Sequence, residues 1–574
     1  MSKLLKGIGA SAGIAISKAY LLTQPHFQID DKTVTDTNVE IKRYDKAIQL
    51  TVEQLTKIKD IAISKIGKEK ADVFEAHIQI AQDPEIKQEV ENTINGTKVN
   101  VAFAIDHVFN KYHEMFKVME DTYFKERAAD VVDVKKRVLS NILNIPLPDI
   151  ASINQEVVVV AHDLTPSETA LLDKKYVKAF ITEIGGRTSH AAIMARTMEI
   201  PAVLGVTDIL KNINAGELIG LNGITGEIEI SPNDSKEWEN KIQTFLKEKE
   251  ELKKYINVPT VTTDGHKVEI SANIGKPADA ATALAQGAEG IGLYRSEFLY
   301  MDNEHWPTEE EQFEGYKSVL EQMSGKLIVI RTLDIGGDKK LSYYQFPQEM
   351  NPFLGYRAIR FCLDNKEIFK TQLRALGRAS AFGKLGIMFP MVATIDEFKE
   401  AKVLVDATFA ELRKEGHKVS DSVQIGMMTE IPSSAVLAKQ FAKYADFFSI
   451  GTNDLNQYAF ACDRMSQKVS YLYQPNNPSL LRLVKMTIDG GHSNKHWVGM
   501  CGEMAGDINS VPILLGLGLD EFSMSATSIP KARKIINNLS FAECQKLAEK
   551  AIDLETIEQV NNLVSNFLKQ KNLS

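Results

Sequence analysis

The sequence predicts a multidomain α/β protein that contains a helical bundle, a smaller α/β domain and a (β/α)8 barrel of the TIM type. Three observations predict this fold class. A chain of 574 residues, 44% of them apolar, can bury several cores, and its length suggests three or four domains. Helical periodicity dominates residues 32–144, and about eight strand–helix units alternate from residue 260 onward.

The composition excludes several classes of protein. A net charge of −9 without a basic tract argues against a nucleic-acid partner. No run of about 18 apolar residues is present, which predicts no membrane insertion, and the glycine-broken N-terminus does not fit a signal peptide. The widely spaced cysteines form no CxxC pair, which favours a reducing, cytoplasmic location over disulfides or a zinc ribbon; they are Cys362, Cys462, Cys501 and Cys544.

The segment 32–144 is predicted to be an antiparallel bundle of two to four helices. Apolar residues at three- and four-residue steps mark its first helix; they are Ile41, Tyr44, Ile48, Val52, Leu55 and Ile58. Further helices are predicted over Ala71–Ala81, Val99–Met119 and Asp121–Leu143. Gln82-Asp83-Pro84 and Gly96 are interpreted as polar breaks between helices.

An α/β segment follows the bundle, which Pro146-Leu147-Pro148 ends. Its predicted strands are Glu156–Ala161, Val177–Ile181, Ala202–Gly205 and Glu227–Ile230. An N-terminal strand, Ile14–Leu22, is compatible with the same sheet, which would make the bundle an insertion. The preceding stretch, Gly7–Gly13, is interpreted as a turn, because no strand precedes it as a dinucleotide-binding loop would require.

A Lys- and Glu-rich helical connector is predicted over residues 233–257, and the barrel strands follow it. They are Val268–Ala272, Gly290–Tyr294, Lys326–Arg331, Gly386–Met391, Val423–Met428, Phe447–Ile450, Trp497–Cys501 and Glu521–Ser525. A doubly wound sheet is the alternative. Polar residues at or just past the ends of most strands favour the barrel, whose active sites form there; they are Asn273, Arg295, Arg331, Glu430, Asn453, Asp454 and Cys501.

A glycine pair followed by a histidine at a helix start marks a candidate anion site. The run is Gly185-Gly-Arg-Thr-Ser-His-Ala-Ala-Ile-Met-Ala-Arg196. Thr188 or Ser189 suits the N-cap position, so His190 would lie where free backbone N–H groups and the helix dipole favour negative charge. Such an imidazole could carry a phosphoryl group. The alternative is a capped helix whose histidine only packs.

The barrel residues suit a small anionic substrate and a metal ion. Glu430 and Asp454 follow consecutive strands and offer the few carboxylate ligands that Mg²⁺ takes when substrate and water complete its shell. Arg295, Arg331 and Arg464 offer forked donors for phosphate and carboxylate, with Arg357 as a further candidate. The alternatives are carboxylates that cap loop backbone and arginines in surface ion pairs.

The histidine run resembles the phosphohistidine signature of enzyme I of the bacterial phosphoenolpyruvate-dependent sugar phosphotransferase system, and the barrel motifs resemble the phosphoenolpyruvate-binding barrel of the same family. The resemblance spans nearly the whole chain. It implies a phosphohistidine α/β domain (1–31 and 145–232) that carries an inserted helical carrier-binding domain (32–144). A linker (233–259) and a barrel that also dimerises (260–574) complete the chain.

The resemblance also implies roles for individual residues. His190 would take the phosphoryl group from phosphoenolpyruvate, and Thr188 would hold its tautomer or contact the phosphoryl group. Glu430 and Asp454 would ligate Mg²⁺. Arg295, Arg331, Arg464 and Asn453 would bind substrate, with Arg357 and Lys339 as further candidates. Cys501, in Gly-Met-Cys-Gly-Glu, would protonate the enolate so that pyruvate is released.

The family passes the phosphoryl group to HPr, a small histidine-bearing carrier protein, to drive sugar uptake. His77 and Arg127 lie in segments that resemble the docking region, Phe74–Ile78 and Tyr123–Asp130. Pyruvate phosphate dikinase and phosphoenolpyruvate synthase share the histidine run and the barrel, but they carry a large nucleotide-binding region for which no Gly-rich loop is visible here. A nitrogen-related regulatory phosphotransferase and a catalytically silent scaffold are the remaining alternatives.

Overall fold

The computed structural model describes residues 2–22, 27–66, 68–118, 122–147, 150, 153–186, 189–301, 303–337, 339, 341–464 and 466–573. The chain divides into two compact units, Met1–Lys249 and Glu250–Ser574. Each unit has its own apolar cores, so each is described by itself.

One eight-stranded sheet organises the first unit. Its strands are β1 (Lys3–Lys6), β2 (Ile8–Ser11), β3 (Ile14–Leu22), β4 (Val157–Ala161), β5 (Val177–Thr182), β6 (Ala202–Leu204), β7 (Leu218–Asn222) and β8 (Glu227–Ile230). Their order across the sheet is β1-β8-β7-β3-β4-β5-β6-β2. The strands β3 to β6 run parallel, and the outer pairs are antiparallel.

The pairing of β3 with β4 makes the helical bundle an insertion. Lys18 lies opposite Val157 and Leu22 opposite Ala161 in a parallel ladder, although more than a hundred residues separate the two strands. The chain before β3 is not only a turn, because β1 and β2 pair with β8 and β6 at the two edges of the sheet. Gly9 of β2 also allows the turn between β7 and β8 to come close: a Cβ there would lie 2.5 Å from the Ile224 carbonyl oxygen.

The inserted bundle has five helices in the part of the chain that the structure describes, one more than the predicted maximum. They are α1 (Thr37–Ile66), α2 (Lys68–Ala81), α3 (Pro84–Thr97), α4 (Val101–Val118) and α5 (Thr122–Leu143). The predicted break at residues 82–84 is the start of α3, because Asp83 accepts the Glu85 and Ile86 N–H groups and Pro84 occupies the first turn. Val90 and Ile94 on α3 then enter the bundle core.

Four helices complete the first unit and its connector: α6 (Pro166–Leu171), α7 (His190–Met198), α8 (Ile209–Asn212) and α9 (Ser235–Lys253). The predicted helical connector corresponds to α9. Its first turns are anchored by Trp238, which is buried and donates from Nε1 to Glu229 of β8 at 2.7 Å. The indole lies against Gly220 of β7, where a Cβ would approach it to 2.4 Å.

The second unit is a closed barrel of eight parallel strands, as the strand–helix alternation predicts. The strands are β9 (Glu269–Ile274), β10 (Gly290–Arg295), β11 (Leu327–Arg331), β12 (Lys384–Phe389), β13 (Gln424–Thr429), β14 (Phe447–Ile450), β15 (Trp497–Met500) and β16 (Glu521–Met524). Glu521 lies opposite Glu269 and Met524 opposite Ala272, so the last strand closes on the first. The doubly wound alternative is thereby excluded.

Helices surround the barrel and close its core. They are α10 (Asp279–Ala285), α11 (Glu297–Met301), α12 (Glu309–Gln322), α13 (Ile359–Asp364), α14 (Lys366–Ala379), α15 (Ile395–Lys414), α16 (Pro432–Val436), α17 (Ala438–Phe441), α18 (Thr452–Ala459), α19 (Pro478–His492), α20 (Val511–Leu517), α21 (Ile529–Asn537), α22 (Phe541–Asp553) and α23 (Ile557–Gln570). All four cysteines are free and buried. Within the described residues, no helix combines the length and the apolar character needed to cross a bilayer.

Candidate active site

The carboxyl ends of the barrel strands bring the predicted site residues to one rim. Arg295 and Arg331 are the last residues of β10 and β11. Glu430 directly follows β13, Asp454 lies in the first turn of α18 after β14, and Cys501 directly follows β15. Because all eight strands are parallel and the barrel is closed, these positions lie at the same end of the barrel.

Two buried carboxylates form the centre of this rim. Glu430 Oε1 accepts the Met391 backbone N–H at 2.5 Å, and burial followed by repulsion from Asp454 and Asp334 raises the pKa of Glu430 to about 8. Asp454 is also buried, and its Oδ1 has no hydrogen-bond partner among the described residues. Two acids that repel each other, one with an orphaned oxygen, fit a cation with oxygen ligands.

The protein supplies few ligands for such a cation. In the described part of the chain, no group of three or more His, Cys, Asp or Glu side chains is arranged to hold a metal. A site with two carboxylates is nevertheless the kind that Mg²⁺ occupies when substrate oxygens and water fill the remaining positions. The donor set at Glu430 and Asp454 therefore fits Mg²⁺ and does not fit an all-protein cage.

Arg331 and Lys339 are held by two acids that the motif analysis did not single out. Arg331 pairs with Glu297, the first residue of α11, and with Asp334 at 3.1 Å. Lys339 contacts the same two carboxylates, Glu297 at 3.0 Å and Asp334 at 2.5 Å. Burial opposes ionisation of both acids, but the cations outweigh it and hold the pKa of Asp334 well below its usual range.

Arg357 is a buried member of the same network. Its guanidinium donates to Asp334 Oδ1 at 2.9 Å and lies 4.0 Å from Asp454 Oδ2. With 1% of its side chain exposed, Arg357 lies behind the rim and fixes the two acids. Sequence position alone did not separate this supporting arrangement from direct substrate contact.

The remaining predicted residues lie around the carboxylate pair. Arg464 Nη1 lies 3.8 Å from Asp454 Oδ1, and its side chain stays partly exposed. Asn453 accepts the Tyr473 hydroxyl at 3.1 Å. Arg295 is half-buried at the end of β10. The side chains that reach the rim are therefore mostly cationic around an acidic centre.

Cys501 lies on the inner wall of the barrel. The thiol is buried beside Met428, Val329 and Leu293. Burial raises the pKa of Cys501 to about 11, so the sulfur keeps its proton at neutral pH. Asn273, the other predicted strand-end residue, donates from Nδ2 to the Cys501 carbonyl at 2.9 Å and fixes the backbone there.

The predicted turn before His190 has the expected backbone geometry. Gly185 has φ +107°, a conformation that side chains other than glycine's disfavour. Ser189 is the N-cap of α7, since its Oγ accepts the Ala192 N–H at 3.3 Å. His190 is then the first residue of the helix. Thr188, predicted to support the phosphoryl group, lies outside the described residues.

The structure corrects the expectation that His77 contacts a carrier protein. The ring is fully buried between two acids of α5: Nε2 lies 2.9 Å from Asp130 Oδ1, and Nδ1 lies 3.6 Å from Asp133 Oδ2. Asp130 and Asp133 are three residues apart and adjacent to Val131 and Val134, which are buried on the inner face of α5. This spacing was the sequence signal that could have predicted two acids facing inward. Arg127 is half-buried, 3.6 Å from Asp130.

Comparison with known proteins identifies the family. Three family models match: "PEP-utilising enzyme, N-terminal" over residues 6–127, "PEP-utilising enzyme, mobile domain" over residues 153–226, and "PEP-utilising enzyme, PEP-binding domain" over residues 249–541, where PEP is phosphoenolpyruvate. The phosphoenolpyruvate-protein phosphotransferase of Mycoplasma capricolum is 57% identical over 99% of both chains. The chain belongs to the phosphoenolpyruvate-protein phosphotransferase family.

Two further members of the family show similar agreement. The phosphoenolpyruvate-protein phosphotransferase of Staphylococcus carnosus is 54% identical over 99% of this chain and 100% of its own length. That of Bacillus subtilis is 53% identical over 98% of this chain and 100% of its own. The protein is therefore an enzyme of the transferase class that uses phosphoenolpyruvate, and the predicted resemblance is confirmed.

Proposed function

We propose that the protein transfers the phosphoryl group of phosphoenolpyruvate to His190, releases pyruvate, and passes the group to the carrier protein HPr to drive sugar uptake. One structural observation carries the first half of this proposal. The Glu430–Asp454 pair lies at the carboxyl end of the barrel, within a rim of arginines. Such a rim suits a small molecule that bears both a phosphate and a carboxylate.

The residues at the rim have three roles in the proposed mechanism: metal binding, orientation of the substrate, and support of the neighbouring acids. Glu430 and Asp454 would hold Mg²⁺, which would neutralise charge on the phosphate. Arg295, Arg331, Arg464 and Asn453 orient the phosphate and carboxylate, and Lys339 and Arg357 keep the acids around them in place. Phosphoryl transfer needs little more from a protein than alignment and charge neutralisation.

His190 is the proposed phosphoryl acceptor. The neutral imidazole attacks phosphorus, and the phosphorus–oxygen bond to the enolate breaks as the phosphorus–nitrogen bond forms. The first backbone N–H groups of α7 and the helix dipole then favour the added negative charge. Thr188 supports the ring or the phosphoryl group in this scheme.

Cys501 completes the pyruvate. The enolate left behind takes a proton at its methylene carbon from the Cys501 thiol, which yields pyruvate and a thiolate. The high pKa of the buried thiol keeps that proton available at neutral pH. The thiol is a weak acid in water, but a strongly basic carbanion-like enolate accepts its proton readily.

The second half of the function involves other surfaces. HPr is proposed to dock on the inserted bundle, with Arg127 as a contact and without His77, whose ring is buried. Dimerisation through the barrel is proposed from the family resemblance. The proposed domains are the phosphohistidine domain (1–31 and 145–232), the carrier-binding domain (32–144), the linker (233–259) and the barrel (260–574). The linker would allow His190 to reach the barrel.

Incubation with ³²P-labelled phosphoenolpyruvate and Mg²⁺ tests the proposal. We expect one acid-labile label per chain in the wild type and in His417→Ala, a control that removes an exposed imidazole of the barrel unit. His190→Ala is expected to retain no label. Persistent acid-labile label in His190→Ala, or ATP-dependent phosphoenolpyruvate synthesis without a carrier, would contradict the proposal.

A further inference from the structure

One side of the barrel interior is polar along its whole length. Strands β11 to β13 contribute Val329, Met388 and Met428 to the inside, as barrel cores usually do. The opposite wall instead carries a polar column, defined here as Glu269, Ser271, Glu521, Ser523, Ser449 and Cys501. Register joins part of it in one row: Ser449 pairs with Gly499, Gly499 with Glu521, and Glu521 with Glu269.

Glu521 is the unusual member of the polar column. Its side chain is buried, and neither carboxylate oxygen has a hydrogen-bond partner among the residues that the structure describes. Two glycines make room for the group: a Cβ at Gly292 would lie 2.1 Å from Glu521 Oε1, and one at Gly499 would lie 2.2 Å from Oε2. A buried acid with no salt bridge among the described residues, in space that glycines keep open, needs an explanation beyond stability.

Glu521 lies one layer below the proposed proton donor. Gly499 and Cys501 are two residues apart on β15 and its end, so they face the same side of the wall, about 7 Å apart. The Glu521 carboxylate lies against Gly499, and its charge acts on the Cys501 thiol. The Ser449 hydroxyl, register-paired with Gly499, also interacts with that thiol.

The other end of the polar column reaches the amino-terminal mouth of the barrel. Glu269, the first residue of β9, is half-buried there, and the Ser271 hydroxyl interacts with both Glu269 and Glu521. Glu289, Lys326 and Lys384 face Glu269 from the surrounding elements. Side chains with exchangeable protons therefore follow one another from this mouth toward the sulfur, on the side away from the substrate rim.

The acidities along the polar column have the order that proton delivery requires. Burial, reinforced by Glu269, raises the pKa of Glu521 to about 8, so the group is largely protonated at neutral pH. The pKa of Cys501 is higher still, about 11. A proton therefore moves spontaneously from the Glu521 carboxylic acid to a Cys501 thiolate.

We propose that Glu521, resupplied through Ser271 and Glu269, returns a proton to the Cys501 thiolate after each pyruvate is formed. This inference rests on the proposed function, in which Cys501 protonates the enolate. The O–H bond of Glu521 breaks as the S–H bond of Cys501 forms, through Ser449 or a water. The resulting Glu521 carboxylate then takes a proton from solvent at the barrel mouth by way of Glu269. Glu521 thus acts on the reaction through Cys501 as a positioning residue, and it does not touch the substrate.

An exchange experiment in D₂O isolates this step without any carrier protein. The reaction contains enzyme, Mg²⁺, phosphoenolpyruvate and ¹⁴C-labelled pyruvate. The carbon label passes from pyruvate to phosphoenolpyruvate even if the same proton leaves and returns to Cys501 without exchanging with solvent. Deuterium enters the pyruvate methyl group only when the thiol exchanges with solvent. We expect Glu521→Gln to keep carbon exchange within about twofold and to slow deuterium entry about tenfold or more.

Two variants complete the test. Glu269→Gln is expected to give the same split with a smaller loss of deuterium entry. Glu549→Gln, which changes an exposed carboxylate of α22 outside the polar column, is expected to change neither rate. Equal losses of both exchanges in Glu521→Gln would show a merely structural role, and unchanged deuterium entry would show another proton source; either result overturns the inference. Absence of carbon exchange in the wild type would instead overturn the proposed function.

Discussion

Charge at the active site is balanced by individual side chains, and removing one of them leaves a buried charge unpaired. Glu297 and Asp334 are neutralised by Arg331, Lys339 and Arg357 at distances of salt bridges. Among the described residues, Glu430 forms no salt bridge, and its pKa of about 8 reflects burial first and then the neighbouring acids. Glu430 is therefore the acid of the rim for which a bound cation is the proposed partner.

Glu430→Gln tests the importance of that acid. We expect phosphorylation of His190 to fall by about 100-fold or more, the order of effect seen when an enzyme loses one electrostatic contact to a reacting group. The fold is expected to persist, because the amide still accepts the Met391 N–H. Quench-flow with labelled phosphoenolpyruvate measures the rate, and Glu549→Gln on the exposed face of α22 serves as the control. Wild-type kinetics in Glu430→Gln would contradict the assignment.

Glu521 predicts how the stability of the barrel unit depends on pH. Its pKa is about 4.5 in the unfolded chain and about 8 in the fold, so the folded state binds the extra proton between these values. Stability is then highest below the unfolded pKa and is lost as pH rises through the folded pKa. We expect the Tm of the metal-free protein to fall from about pH 5 to about pH 8.

Calorimetry of Glu521→Gln provides the comparison. The variant cannot ionise at this position, so we expect its Tm to fall less steeply over the same pH range than that of the wild type. Parallel slopes for the two proteins would mean that the buried carboxyl is ionised in the fold, against the burial and the neighbouring Glu269 that raise its pKa.

At the level of elements, local sequence determined most boundaries, and distant pairing determined the exceptions. Strand β14 and helix α9 match their predictions because a short apolar run and a Lys/Glu-rich periodic segment each carry their own signal. Strands β1 and β2 escaped prediction, since their edge positions depend on partners about two hundred residues away.

The same division holds for the active site. Strand ends indicated Arg331 and Glu430, because their positions follow from the barrel topology alone. Glu297 and Asp334 also lie just past strand ends, but their role was not predicted from the sequence. It follows from the cations that they contact in the folded structure. The orientation of Arg357 toward Asp334 likewise depends on folding of its loop and not on its spacing in the chain.

The turn before α7 provides a matched pair of substitutions. Gly185→Ala places a side chain at φ +107°, where we expect a cost of about 1–3 kcal/mol and a displaced helix start. Gly186→Ala adds a Cβ with nothing within 4 Å and no positive φ, so it is expected to be nearly neutral. Thermal unfolding and His190 phosphorylation measure both effects. Equal behaviour of the two variants would contradict a special role for the Gly185 conformation.

For the whole molecule, the important observation is that the proposed phosphoryl acceptor and the proposed substrate site belong to different compact units. His190 lies in Met1–Lys249, and the barrel residues lie in Glu250–Ser574. Each unit has its own core, so we expect the connector to affect the proposed transfer between the units through their effective concentration and not through the folding of either unit. Periodicity indicated the helical bundle and the barrel, whereas the placement of the division between the two units inside α9 did not follow from it.

Cutting the connector tests this dependence. A protease site inserted between Lys249 and Glu250 allows the two units to be separated after folding. Before cleavage, we expect the rate of His190 phosphorylation to be independent of protein concentration in the nanomolar range; after cleavage, it becomes proportional to fragment concentration. Unchanged first-order kinetics after dilution of the cleaved protein would contradict the expectation.

The insertion of the bundle between β3 and β4 also determines the order in which parts of the first unit can fold during translation. β3 ends at Leu22, but its parallel neighbour begins only at Val157, and the partners of β1 and β2 emerge from the ribosome later still. The bundle, by contrast, buries residues that are close together in the nascent chain. We therefore expect the helical bundle to become compact first during translation. The edges of β1 and β2 stay unpaired until their partners β8 and β6 have been synthesised.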